Sequence, residues 1–116
     1  MRRRALIAVL AGAALICAGP AQGAARKTVK LGDNYFAPKT LKVKRGTRVT
    51  WRWPGFDEGG DVHDVKLSKG PAGVKKFHSE AASTDYSFRR KLTKPGTYRI
   101  VCTLHEEMRM TVRVRR

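Results

Sequence analysis

Cysteine is nearly missing from this chain: there are two, Cys17 and Cys102, and Cys17 falls inside an N-terminal apolar run. A disulfide framework is therefore excluded for the folded part. Acidic residues are also scarce, nine against twenty-five lysines and arginines, for a formal net charge of +16. No apolar stretch is long enough to span a bilayer, and no segment carries a convincing helical 3.6-residue pattern, which argues against membrane spans and helix bundles. Internal repeats and low-complexity tracts are absent outside the first residues.

What the N-terminus does have is the layout of a secretory signal. Arg2, Arg3 and Arg4 precede an apolar run from Ala5 to Ala18, and Ala21-Gln22-Gly23 offers small residues for cleavage. The expected division is 1–23 as a cleavable signal peptide and 24–116 as one domain, with cleavage after Ala25 as the alternative. Cys17 leaves with the signal, since Ile16 before it is too large for a lipid-attachment site. The excess of cations stays with the domain, because the signal removes only three arginines. One thiol, Cys102, then remains in an oxidising compartment, where an unpaired thiol needs an explanation. Metal ligation supplies one, by holding the sulfur as an occupied thiolate.

The rest of the chain alternates. Val29 and Leu31, Leu41 and Val43, then Val49, Trp51 and Trp53 take every second position, with lysine, arginine and threonine between them. Val62–Leu67, Tyr86 with Phe88, Tyr98–Thr103 and Met110–Val114 continue the pattern. Turn signals separate them at Gly32-Asp33-Asn34, Arg45-Gly46 and Thr93-Lys94-Pro95-Gly96. Pro38 favours an edge or a bend. Residues 54–61 read as a loop, 68–73 as irregular, and 74–84 as either a brief helical turn or a long loop. The fold expected is all-β, an antiparallel Greek-key β-sandwich of seven or eight strands. Trp51 and Trp53 fall on the apolar parity and read as core.

Chemistry concentrates near the end, in Cys102-Thr103-Leu104-His105-Glu106-Glu107-Met108. A thiolate, an imidazole and a thioether within seven residues form a set that suits copper better than any hard cation. A further ligand must come from elsewhere. Of the remaining histidines, His63 lies at the start of a strand candidate and His78 in the least regular segment. A strand-anchored ligand is held more rigidly, so His63 is the better candidate, and His78 reads as an ordinary surface or hydrogen-bonded residue. Met108 and Met110 share strand parity with Val112 and Val114, so either sulfur could point inward, and Met110 has a strong claim to be core filler. Asp64, next to His63, is placed either to bond Thr103 across the two ligand loops or to face solvent.

Phe36-x-Pro38-x-x-Leu41-x-Val43-x-x-Gly46-Thr47-x-Val49-x-Trp51, His63-Asp64-Val65 and Pro95-Gly96-Thr97-Tyr98 lead to Cys102-x-x-His105-x-x-Met108. This ordered set resembles the cupredoxins, of the plastocyanin, amicyanin and pseudoazurin kind, over nearly all of 24–116. The resemblance implies one type 1 (blue) copper ion held by His63, Cys102 and His105 in a plane, with Met108 as axial ligand. It also implies electron transfer rather than enzymatic catalysis. The expected role is an exported, monomeric one-electron carrier (periplasmic, extracellular or at the cell surface) between larger redox proteins. A copper carrier or buffer that delivers copper outside the cytoplasm is the alternative. Where relatives commonly have proline and small or apolar residues after the second histidine, this chain has Glu106 and Glu107. The net positive charge predicts partners with acidic docking surfaces, with anionic membrane or wall surfaces as a further class. Nucleic acid is not expected, given export and the lack of a recognition motif.

Overall fold

The computed structural model describes residues 25–116, so the signal peptide expected over 1–23, with Cys17, lies outside the described residues. Eight strands follow one another: β1 (Arg26–Gly32), β2 (Tyr35–Ala37), β3 (Thr40–Lys44), β4 (Thr47–Arg52), β5 (Lys66–Lys69), β6 (Ser87–Leu92), β7 (Gly96–Val101) and β8 (Arg109–Arg115). One 3-10 turn, Phe56–Glu58, interrupts the loop after β4. The strands form two four-stranded sheets, ordered β2-β1-β4-β6 and β3-β8-β7-β5. That is the all-β sandwich the alternation predicts.

Alternation sets the register of the core. Val29 faces Trp51 across β1 and β4, Trp51 faces Phe88 across β4 and β6, and Tyr98 faces Val112 across β7 and β8. All five side chains are buried, and the residues between them are mostly exposed lysines and arginines. A one-residue slip of any strand would turn its apolar set to water, so the pattern fixes the pairing. Trp51, with Phe77 and Phe88 at ring-centroid distances of 5.9 and 6.1 Å, fills the space between the sheets. Gly46 makes the turn into β4 with a φ of +88°, a conformation that other residues adopt only under strain.

Two expectations change, and the choice left open for residues 74–84 is resolved. The sheets are mixed: β1 pairs with β4, and β3 with β8, in parallel. Between β1 and β4 the chain crosses to the other sheet as β3 and returns in its original direction, so a parallel ladder is the only one open to it. The strand expected from Val62 begins only at Lys66, where β5 first meets β7. His63 instead belongs to a two-residue bridge with Ala82, closed by a backbone bond in each direction of 2.9 and 3.0 Å. Residues 74–84 hold no helix and run as a long loop, tied down by that bridge and by a second one between Lys66 and His78.

β2 is short, sits at a sheet edge and stops before Pro38, as a residue without an N–H requires. The loops that leave β1, β4 and β7 all emerge at one end of the sandwich. That end holds the candidate site.

Candidate metal centre

His63, Cys102 and His105 converge: their ligand atoms all lie within 4.8 Å of one another. His63 comes from the β4–β5 loop and the other two from the β7–β8 loop, so the group forms only once both loops have folded. The second loop is clasped by its own backbone. Cys102 N–H donates to the Met108 carbonyl and Met108 N–H to the His105 carbonyl, each at 3.0 Å. Cys102 and Met108 are buried, while His105 keeps 22% of its side chain exposed. His63 and His105 rings lie 4.9 Å apart.

Each nitrogen of His63 has a distinct position. Its Nε2 lies 3.2 Å from Asp33 Oδ1. The Asp33 carboxyl is held below its ordinary pKa, chiefly by the Asp61 backbone N–H and next by His63 itself. An ionised carboxylate only accepts, so the imidazole proton belongs on Nε2 and the lone pair on Nδ1. That Nδ1 is fully buried and has no hydrogen-bond partner. A buried, unpartnered acceptor costs about 1–3 kcal/mol. Beside a buried cysteine sulfur and a second imidazole, its lone pair is placed to ligate a metal. His105 presents its own Nδ1 3.6 Å from Cys102 Sγ, and its Nε2 lies 3.7 Å from Asp61 Oδ2. Both imidazoles therefore have a carboxylate on the Nε2 side, an arrangement that orients metal-bound histidines and raises their basicity.

Around this group runs a set of polar ties. Asp64 is buried, and its Oδ1 accepts the Thr103 backbone N–H at 2.7 Å while Oδ2 accepts the Thr103 hydroxyl. Of the two placements open to Asp64, the structure takes the one that bonds the ligand loops together. Burial pushes the Asp64 carboxyl up, but bonds from His78 and Thr103 outweigh it and hold its pKa below the ordinary value. His78 stays out of the metal group, as expected, and its Nε2 lies 2.8 Å from Asp64 Oδ2. Trp53 is buried, and its Nε1–H donates to the His63 and Ala82 carbonyls. It thus packs as core and also fixes the backbone of His63.

The two methionines separate. Met110 Sδ accepts the Trp51 indole N–H at 3.3 Å inside the core. Met108, fully buried at the end of the ligand loop, has no such engagement.

Asp33 and Trp53 carry no functional signal in the sequence. Asp33 reads there as a turn residue, thirty positions from the histidine it orients, and only the fold brings the two together.

A cysteine sulfur and two imidazoles whose ligand atoms gather within 4.8 Å fit copper by donor softness. Comparison with known proteins agrees. Residues 23–115 match the family described as copper binding proteins, plastocyanin/azurin family. Amicyanin-alpha of Methylorubrum extorquens is 26% identical over 110 residues, covering 90% of this chain and 89% of that protein. The structure of amicyanin from Paracoccus versutus superposes with a TM-score of 0.63 at 26% identity, over 83% of this chain and 84% of that one. A copper-containing nitrite reductase from Thermus scotoductus superposes with a TM-score of 0.67 at 26% identity, over 88% of this chain but only 25% of the enzyme. Domains of this shape thus also occur inside larger enzymes. The chain belongs to the plastocyanin/azurin family of copper binding proteins, and copper is its cofactor.

Proposed function

We propose that this protein is an exported electron carrier in which His63, Cys102, His105 and Met108 hold one type 1 copper ion. The observation that carries the reading is the unpartnered Nδ1 of buried His63, set among the other two donors of the group. When bound, copper supplies a one-electron couple between Cu(I) and Cu(II).

The residues do the rest. The Asp64–Thr103 bonds and the loop clasp hold the donors in one arrangement, so little moves when the charge at the site changes. Trp53 and Asp33 fix His63 from its backbone and its ring. Burial of Cys102 and Met108 keeps water away. His105 is the one member of the set with an exposed part, and Val62 and Leu104, each exposed, neighbour the two histidines in sequence. That edge is the natural portal for electrons passing to and from larger redox proteins. A site filled by four protein donors leaves no position for a substrate, so we read transfer rather than catalysis. A copper carrier would need an open position for hand-over, and the burial of three of the four donors favours transfer over delivery.

The test is reconstitution of residues 24–116 with Cu(II), followed by visible absorption and electron paramagnetic resonance. An intense blue thiolate-to-copper band that Cys102→Ser abolishes is the expected result. A pale or colourless complex would refute the type 1 assignment.

A further inference from the structure

At the opposite end of the sandwich lies a cavity of about 380 Å³, in the range that holds small ligands. It opens between β6, the turn after it, and the segment 73–77. Five of its lining residues are cationic: Lys75, Lys76, Arg90, Lys91 and Lys94. None is acidic. Its floor is apolar, with Phe77, Leu92 and Tyr98 all buried.

Two features separate this cavity from an ordinary solvated basic face. First, Arg90 shares the inward parity of Phe88 and Leu92, whereas most cations of the strands point outward. Its guanidinium lies 4.2 Å from the Phe88 ring centroid and 5.6 Å from that of Phe77, stacked at the open edge between the sheets. Second, the charges have no acidic counter-ion among the described residues. The ion pairs among the described residues each join a histidine to an aspartate, and no lysine or arginine takes part. Lys94 Nζ lies against Gly73, where a β-carbon would stand 3.0 Å from it, so the bare glycine leaves the ammonium its place in the wall. Tyr98 O–H donates to the Lys94 carbonyl at 2.7 Å and holds the turn that carries it.

Lys76 Nζ donates to the Ser68 carbonyl and Arg90 Nη1 to the Arg89 carbonyl, but neither meets a carboxylate. Cations gathered without acidic partners raise the local concentration of anions and are relieved by one that carries several charges. Lysine ammoniums are point charges that suit phosphoryl oxygens in varied geometry, and an arginine adds a forked donor. We propose that this cavity is a binding site for a phosphate-bearing ligand with two or more negative charges. β7 runs from the turn beside the cavity to Cys102, a span of roughly 20 Å at ~3.3 Å per residue. A ligand here therefore leaves the copper end uncovered.

Calorimetric titration of residues 24–116 with tripolyphosphate, at low ionic strength, tests the site. Lys75→Gln with Lys94→Gln removes two charges from the cavity. Lys42→Gln with Arg113→Gln removes two from an exposed pair facing each other across β3 and β8. One-to-one binding, weakened roughly tenfold or more by the cavity variant and about twofold or less by the other, is expected. Equal weakening by both variants would mean a diffuse response to net charge and would overturn the site, as would the lack of saturable binding. Circular dichroism and thermal melting verify that both variants fold. Vesicles of cardiolipin, a doubly charged diphosphate lipid, identify the source of the phosphate. Vesicle binding lost in the cavity variant and displaced by tripolyphosphate assigns a lipid headgroup. Vesicle binding equal in both variants, with tripolyphosphate binding still cavity-dependent, assigns a free oligophosphate. Either result upholds the site.

Discussion

Asp64 joins the two loops that carry the metal donors, and its removal is a quantitative test of that role. Three donors end on its carboxylate: Thr103 N–H, the Thr103 hydroxyl and the His78 ring. At ~1.5 kcal/mol net for each bond to a charged acceptor, their loss costs about 4–5 kcal/mol. Relief from burying the carboxylate returns part of that, so Asp64→Ala should destabilise the metal-free protein by about 3 kcal/mol. For a domain of this size, this lowers the urea midpoint by roughly 2 M. Thr103→Val removes the hydroxyl bond but spares the backbone one, and should cost only about 1 kcal/mol. The metal-free form is the right one to measure, because copper would add its own binding energy to every comparison. Acid supplies a second readout. The folded carboxyl titrates below its ordinary 3.8. Its contribution is therefore whole above that pH and fades as the pH falls through the folded value. The gap between parent and Asp64→Ala should close below about pH 4. An Asp64→Ala midpoint within about 0.5 kcal/mol of the parent at pH 7, the range of an ordinary surface change, would refute the reasoning.

The methionines should answer differently to the same substitution. Met110→Leu strands the Trp51 indole N–H and should cost about 1–2 kcal/mol in urea unfolding with the copper reduction potential unchanged. Met108→Leu should shift the potential in voltammetry at less than about 1.5 kcal/mol of stability, and the reverse pattern would reassign the axial sulfur. At the far end, burial raises the Tyr98 phenol above its ordinary 10.0. The stability this neutral phenol adds is whole below pH 10 and lost as the pH rises through the folded value. Tyr98→Phe should cost about 1 kcal/mol at pH 7 through its bond to the Lys94 carbonyl and should flatten the alkaline decline in melting temperature.

The parts of this protein that could be read in the sequence are those that local chemistry determines. Trp51 between Thr50 and Arg52 shows which way a strand faces, because a pleated strand presents alternate residues to water and core. Cys102, His105 and Met108 are close in sequence, so their shared chemistry shows without a fold. His63 stands out in the sequence for its place at a strand start, but its rigidity comes from a bridge to Ala82 and from Trp53, not from a regular strand. The parallel ladders depend on where a chain returns after crossing to another sheet, which no local pattern encodes. The partners of Asp33 and His78 are invisible for the same reason. Each acts through a contact, thirty or fourteen residues away, that exists only in three dimensions.

Net charge proved a poor guide to the charge at the site. A formal +16 suggests an acidic docking partner, but the carboxylates are not evenly spread. Asp33 and Asp61 sit beside the two histidine rings, and Glu106 and Glu107 follow His105 on the exposed part of its loop. The unpaired cations line the strands and crowd the cavity at the far end. The two ends are separated by roughly 20 Å. At physiological ionic strength, exposed charges are screened over ~8 Å, so each end meets its surroundings almost independently. The basic body then governs attraction to polyanions, and the local carboxylates govern what can approach the His105 edge. An anionic ligand held at the far end and a redox protein docked at the copper end do not compete for the same surface. With that arrangement, a strongly basic protein can be attached at one end and still exchange electrons at the other.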